Sequence, residues 1–271
     1  MDARALLRAA PVVPPVVTEE FDTAVIGGGL VGGAIAYGLA RLGQRVVLLD
    51  EGDIAYRAAR GNFGLIWVHG KGMGLPAYAA WTRLSARRCA ELAAMLRDDA
   101  GVDVALEQPG GLNICLSERE LDAKVAAMDW LMGQPGFERY PYEILDHAGV
   151  ARFFPEIGAS VVGATHSLLD GHVNPLRLFR ALHAAFIARG GIYKSNSAVQ
   201  QLVRDGSAFV MEAGSQRFSS VRLVLAAGLG NARLAPQVYR LRFPIKPITL
   251  GELASLPQSE ASRQAVVRLA K

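Results

Sequence analysis

Thr23-Ala24-Val25-Ile26-Gly27-Gly28-Gly29-Leu30-Val31-Gly32 carries an apolar strand into a run of glycines and out into a helix. Asp50 follows Gly27 by 23 residues, at the end of the second apolar stretch Arg45-Val46-Val47-Leu48-Leu49. Strand, glycine turn, helix, strand and terminal acid is the order that a dinucleotide-binding βαβ unit requires. Gly27 permits the sharp turn, Gly29 lets the backbone approach a pyrophosphate, and Gly32 lets the helix pack closely on the strands. The helix N-terminus then turns unpaired N–H groups and the positive end of its dipole toward the phosphates, so no Lys or Arg is needed there. Asp50 would accept hydrogen bonds from ribose hydroxyls and repel a 2′-phosphate.

Composition sets the bounds around this unit. The chain has 271 residues, 51% hydrophobic and 20% charged, enough for one large domain or two interleaved ones with a buried core. A formal net charge of +4 is spread without any dense basic run, which argues for a solvated surface and against a nucleic-acid partner. Cys89 and Cys115 lack metal-ligand spacing and read as reduced buried thiols, so no metal is expected and a reducing, cytoplasmic compartment fits. Met1 to Glu20, with Pro11, Pro14 and Pro15, read as a flexible leader without signal-peptide or transmembrane character; contact with the inner face of a membrane would need a partner.

Further along, patterning predicts a helix over Leu30 to Leu42 and a single amphipathic helix over Pro76 to Asp98. In the latter, Tyr78, Trp81, Leu84, Leu92, Met95 and Leu96 are expected in the core. Val102 to Leu116 reads as strand, Pro-Gly-Gly turn, strand. Ser117 with Glu120 forms a capping box opening a helix to Met132. A short helix Val150 to Phe154 and a strand Val161 to His166 follow. Asn174 caps a helix whose first residue is Pro175 and which runs to Arg189. Ile192 to Leu202 gives one or two strands, and Asp205-Gly206 turns a hairpin. Gln216 to Phe218 and Val221 to Leu225 are read as separate strands, the second ending in Ala226-Ala227-Gly228. Asp170-Gly171-His172 reads as a domain-crossing turn, and His69, His147, His166 and His183 as surface or capped histidines.

These motifs together resemble the FAD-dependent D-amino-acid oxidase and glycine oxidase superfamily over about residues 21 to 247. The residues that carry the likeness are Gly27-Gly28-Gly29 with Ala36, Gly43 and Asp50, the loop Gly61-Asn62-Phe63-Gly64-Leu65, the run Asp170 to Leu176, and Val224 to Gly228. Arg60 to Val68 and Gln108-Pro109-Gly110-Gly111 most resemble the flavoprotein B subunits of opine oxidases and the hydroxyproline dehydrogenase group. A nicotinamide dehydrogenase would share the glycine turn and the acid but leaves Asp170 to Leu176 and the strand ending at Gly228 unexplained.

The resemblance implies an α/β fold, with a Rossmann-like FAD-binding domain interleaved with an incomplete α+β substrate domain on a mixed sheet. It divides the chain into a leader 1–20, FAD-binding parts 21–98 and 168–235, a substrate part 99–167, and a partial substrate domain with divergent tail 236–271. It places Gly27, Gly29 and Gly32 on the FAD pyrophosphate, with Gly28, Leu30 and Val31 in the same turn, and Asp50 with Glu51 at the adenosine ribose. Ala58, Ala59 and Phe63-Gly64-Leu65 would line the ribityl chain and flavin, and Asn62 is either a turn residue or an FAD contact. Val199 would pair with adenine through its main chain, and Ala226, Ala227 and Gly228 would pass the pyrophosphate.

Such an enzyme oxidises the C–N bond of an amino acid or opine by hydride transfer to the flavin, giving an imine that water hydrolyses, and needs no dedicated acid or base. Accordingly no catalytic residue is assigned. The resemblance also implies a hetero-oligomer in which another redox protein receives the electrons. Ile248 to Lys271 does not continue the pattern, so the carboxyl-terminal part of the substrate domain is expected to be truncated or divergent. The alternative reading is therefore a catalytically incompetent dinucleotide-binding fragment.

Overall fold

The computed structural model describes residues 18–52, 58–135 and 138–238. Leader residues 1–17 and tail residues 239–271 lie outside it, whereas Thr18–Ile26 form strand β1, so residues 18–20 belong to a strand and not to a leader. The chain falls into two compact units, the first containing 18–52 and 189–238 and the second 58–188. These divisions differ from the sequence-based boundaries at 98 and 167.

In the first unit, β1 is followed by helix α1 (Leu30–Arg41) and β2 (Val46–Leu49), both close to their expected bounds, whereas β1 begins five residues before the expected Thr23. The remaining strands come from the far end of the chain: β8 (Ile192–Lys194), β9 (Gln201–Asp205), β10 (Ala208–Ala213) and β11 (Gln216–Leu225). The order is β8-β2-β1-β11-β10-β9. The first four of these strands run parallel and the last two join as an antiparallel hairpin. This sheet of the first unit is therefore mixed. All four residues of β2 are fully buried, as the centre of a parallel sheet covered on both faces requires. Phe21, Ala24, Ile26, Val47, Leu49, Met211 and Phe218 form one core with Leu234 of helix α7 (Asn231–Val238). Each large side chain so buried contributes about 1.5–3 kcal/mol. β11 is continuous over ten residues where two strands were expected, because its register with β1 runs unbroken from Arg217 to Ser220 and resumes at Arg222.

The second unit is built on the antiparallel sheet β4 (Gly111–Cys115), β6 (Gly163–Ser167) and β5 (Glu143–Asp146), with β6 central. A two-stranded ribbon joins β3 (Leu65–Ile66) to β7 (Gly171–His172). Helix α4 (Glu118–Met132) opens as expected: Ser117 Oγ accepts from the Glu120 N–H at 3.2 Å, and Glu120 reaches back to the Leu116 N–H at 2.9 Å. Helix α5 (His147–Ala151) starts earlier than expected because Asp146 caps it through the Gly149 N–H. In α6 (Pro175–Ala188), Asn174 Oδ1 accepts from the Arg177 N–H at 3.0 Å.

Two expectations fail here. The single helix over 76–98 is two, α2 (Pro76–Arg87) and α3 (Cys89–Ala100), divided at Arg88. Most of its apolar stripe is not core: Tyr78, Trp81 and Leu84 are 45%, 70% and 49% exposed, whereas Leu96 of α3 is fully buried as expected. The inward face of α2 is instead Ala79, Arg83 and Ala86, and buried Arg83 donates to Glu138 at 2.7 Å. Small residues allow close packing, and one buried cation is tolerated when paired. The first strand expected within 102–116 is also missing, since that segment holds only the isolated bridge Glu107–His172 before β4.

Candidate functional site

The glycine turn of the first unit is shaped by steric need. Gly27 adopts φ +104°, and a Cβ there would collide with the Ala226 carbonyl oxygen. A Cβ on Gly32 would collide with the Gly27 oxygen, and one on Gly28 would lie 3.0 Å from the Asp50 carboxyl. Side chains are thereby excluded at Gly27 and Gly32 and crowded at Gly28. Helix α1 starts at Leu30 with Gly29 as its N-cap, without a side-chain cap and without an acid in its first turn. Its leading amides therefore have no intrahelical acceptor, a polarity suited to an anion. Val31 in that first turn is 66% exposed.

Asp50 ties the turn to the end of β2. It is 4% exposed; Oδ2 accepts from the Gly28 N–H at 2.6 Å and Oδ1 from the Gly52 N–H at 3.0 Å. Glu51 beside it is exposed. Ala226 and Ala227 pass directly against Gly27, Ala226 donating its N–H to Ile26 O at 2.8 Å and Ala227 to Asn231 Oδ1 at 2.9 Å. Gly228 follows at φ +56°. Val199 is buried, and its carbonyl already accepts from Arg233 Nη2 at 2.8 Å. A base pairing through that oxygen would use its second lone pair. Sequence reasoning does not anticipate Arg233, whose position depends on α7 packing beside β9.

Ala58, Ala59, Asn62, Phe63, Gly64 and Leu65 belong to the second unit. Asn62 closes its own loop: Nδ2 donates to Ala59 O at 2.8 Å and Oδ1 accepts from the Gly64 N–H at 2.7 Å. Both bonds are those of a turn residue. Gly64 has φ +72°, and its carbonyl accepts from the Val173 N–H at 2.8 Å. Ala58 is exposed, Phe63 87% exposed and Leu65 59% exposed. Asn62, Phe63, Gly64 and Leu65 line one groove of about 650 Å³ together with Trp67 and Lys71.

The second unit also holds a polar pair that the sequence does not reveal. Asp170 is fully buried; its Oδ1 accepts from the Val68 N–H at 2.6 Å and the His69 N–H at 3.3 Å. Burial pushes its carboxyl above the usual range, while the two N–H groups pull it down. Asp170 Oδ2 lies 3.8 Å from His69 Nδ1, beyond hydrogen-bond distance. His69 is 2% exposed, not a surface or capped histidine, and burial with the charges of Lys124 and His166 lowers its pKa to about 4. The other histidines do have partners: His147 at Val161 O, His166 at Glu143 and His183 at Phe179 O. Both cysteines are free, Cys115 buried and Cys89 half-buried. No described helix is long and apolar enough to cross a membrane.

Comparison with known proteins accords with this geometry. The chain is similar to the B subunit of opine oxidase from Agrobacterium tumefaciens (strain Ach5), 44% identical over 227 residues, covering 84% of this chain and 61% of that protein. The same-named protein of Rhizobium meliloti is 41% identical with the same coverage. The chain thus spans about three fifths of the length of these curated relatives. The crystal structure of glycine oxidase from Geobacillus kaustophilus shares the fold, with TM-score 0.73 at 24% identity over 81% of this chain and 58% of that one. A model of the FAD dependent oxidoreductase family matches residues 22–268, so the likeness continues past residue 247 into a stretch expected to diverge. The chain belongs to the FAD dependent oxidoreductase (DAO) family.

Proposed function

We propose that this chain holds FAD and serves in the oxidation of the C–N bond of an amino acid or opine. The observation that carries the reading is the glycine turn at the uncapped start of α1, where Gly27 and Gly32 have no room for a side chain and the leading amides have no side-chain cap. Gly27, Gly28, Gly29, Leu30, Val31 and Gly32 would hold the pyrophosphate, Asp50 with Glu51 the adenosine ribose, and the Val199 main chain the adenine. Ala226, Ala227 and Gly228 would pass the pyrophosphate. Ala58, Ala59, Asn62, Phe63, Gly64 and Leu65 are assigned to the ribityl and flavin side, and the groove shared by the last four supports that assignment.

Bound FAD would supply the hydride acceptor, turning the substrate amine into an imine that water hydrolyses. The protein binds the cofactor, excludes side chains from the phosphates and orients the substrate. Similarity to a protein named as one subunit of an oxidase supports assembly with another redox chain that takes the electrons. The sequence divisions into cofactor and substrate parts, and a cytoplasmic location, belong to the same proposal.

The test is the visible spectrum of the purified chain with FAD, before and after anaerobic mixing with amino acids and opines. A bound flavin that bleaches with one of them is expected. Flavin that binds and never bleaches would leave a dinucleotide-binding chain without activity of its own, and no flavin binding would overturn the reading.

A further inference from the structure

β11 leaves its ladder with β1 at Leu225, and β9 joins its ladder with β10 at Gln201. The main chain just outside those points, Ala226-Ala227-Gly228 and Val199-Gln200, is the part that the FAD reading sets against the pyrophosphate and the adenine. Each segment keeps a backbone bond to a neighbouring strand, Ala226 N–H to Ile26 O at 2.8 Å and Gln200 N–H to Glu212 O at 2.9 Å. The remaining polar groups need other partners, and helix α7 supplies several of them. Asn231 Oδ1 accepts from the Ala227 N–H at 2.9 Å, and its Nδ2 donates to Leu225 O at 3.4 Å. Arg233 donates from Nη2 to Val199 O at 2.8 Å and from Nη1 to Gln200 O at 3.2 Å. Gln237 Oε1 accepts from the Leu202 N–H at 2.8 Å, on the edge strand β9. Leu234 of the same helix is buried in one core with Val199 and Leu202, so α7 stays docked when a polar tie is removed.

We infer that α7 positions the main chain for the adenosine and pyrophosphate, with Arg233 setting the Val199 carbonyl for the adenine amine and Asn231 setting the Ala227 peptide against Gly27. This role rests on the proposed function, because Val199 meets an adenine only when FAD is held. Arg233 is exposed, yet its planar guanidinium forks across two successive carbonyls, which fixes the direction of the Val199 oxygen more firmly than a single bond would. That oxygen keeps its second lone pair for a donor on the ligand. Asn231 holds a peptide on each side of Ala226, whose carbonyl oxygen closes on Gly27. Both side chains act through the main chain they hold, as positioning residues.

Fluorescence titration of the full chain tests it with FAD and with flavin hypoxanthine dinucleotide, in which a carbonyl oxygen replaces the adenine amine. Arg233→Met should weaken FAD about tenfold, the scale of one charge-assisted hydrogen bond, and leave the affinity for the hypoxanthine analogue unchanged. Arg233→Lys, which keeps a cation for one of the carbonyls, should recover part of the loss. Asn231→Ala should weaken both ligands alike, since both carry the pyrophosphate. Arg217→Gln, an exposed cation at the start of β11 and so at the opposite end of that strand from Ala226, should change neither. Circular dichroism melts matching the parent exclude misfolding of the α7 variants. FAD bound alike by the parent and Arg233→Met, or equal weakening of the two ligands by Arg233→Met, would overturn the inference alone. A parent chain that takes up no FAD would overturn the function reading and this role with it.

Discussion

Asp50 and Asp170 solve the same chemical problem, one in each unit, and differ in what they hold. Both are buried carboxylates that accept two backbone N–H groups. Asp50 gathers Gly28 and Gly52, two glycines at the mouth of the first unit's parallel strands. Asp170 clamps the Val68-His69 segment, and its second oxygen faces a ring that it does not hydrogen-bond. A carboxylate at a strand end facing a glycine turn can serve a ligand, whereas one enclosed by its own unit spends its charge on holding chain segments together.

The largest effect expected from this contrast is on stability. Asp170→Ala leaves two buried N–H groups without their acceptor and should cost about 2–6 kcal/mol in chemical denaturation, from roughly 1–3 kcal/mol for each. A cost under about 1 kcal/mol would show that the clamp is dispensable. Asp50→Ala should weaken FAD binding by about 1–3 kcal/mol in a flavin-fluorescence titration. Asp50→Asn, which keeps an acceptor for Gly28, separates loss of the charge from loss of the tie; unchanged affinity in both variants would remove Asp50 from the ribose.

His69 gives the next effect. Its folded pKa of about 4 lies below the unfolded value near 6.5, so the unfolded chain binds the proton first and stability falls as pH drops. Between pH 6.5 and 5 the loss should reach up to about 2 kcal/mol, at 1.36 kcal/mol per unit. A His69→Gln variant should lose this component of the slope, and an unchanged slope would assign it elsewhere. Smallest of all, Asp170→Asn keeps an oxygen for Val68 and His69 and should cost less than about 1 kcal/mol. A cost equal to that of Asp170→Ala would show that charge, not the acceptor, holds the segment.

The two aspartates also mark where the sequence can be read. Asp50 bonds to residues 2 and 22 positions away, inside a single βαβ unit whose spacing is fixed by strand and helix lengths. That local geometry made the turn, the acid and the caps at Ser117 and Asn174 legible. Asp170 meets Val68 and His69 across 102 and 101 residues, a pairing that depends on the β3–β7 ribbon forming. No local period announces such a contact. The stripe on α2 misled for a related reason: helical spacing gives a face, but which face turns inward is decided by partners such as Glu138, which leaves no trace in the periodicity. Arg233 at Val199 belongs to the same class, reaching across 34 residues.

The contact between Gly27 and Ala226 has a consequence for the order of events during synthesis. The wall of the glycine turn is completed by a strand that emerges from the ribosome about 200 residues later, roughly 10–40 s at ordinary elongation rates. Until then β1 has a parallel neighbour on one side only, and the second unit is translated entirely within that interval. A nascent chain arrested before Gln216 should therefore retain no FAD, while release of the chain past Val238 restores it. The proposed cofactor site would thus await a late strand of the first unit, its earliest residues depending on β11 for their wall.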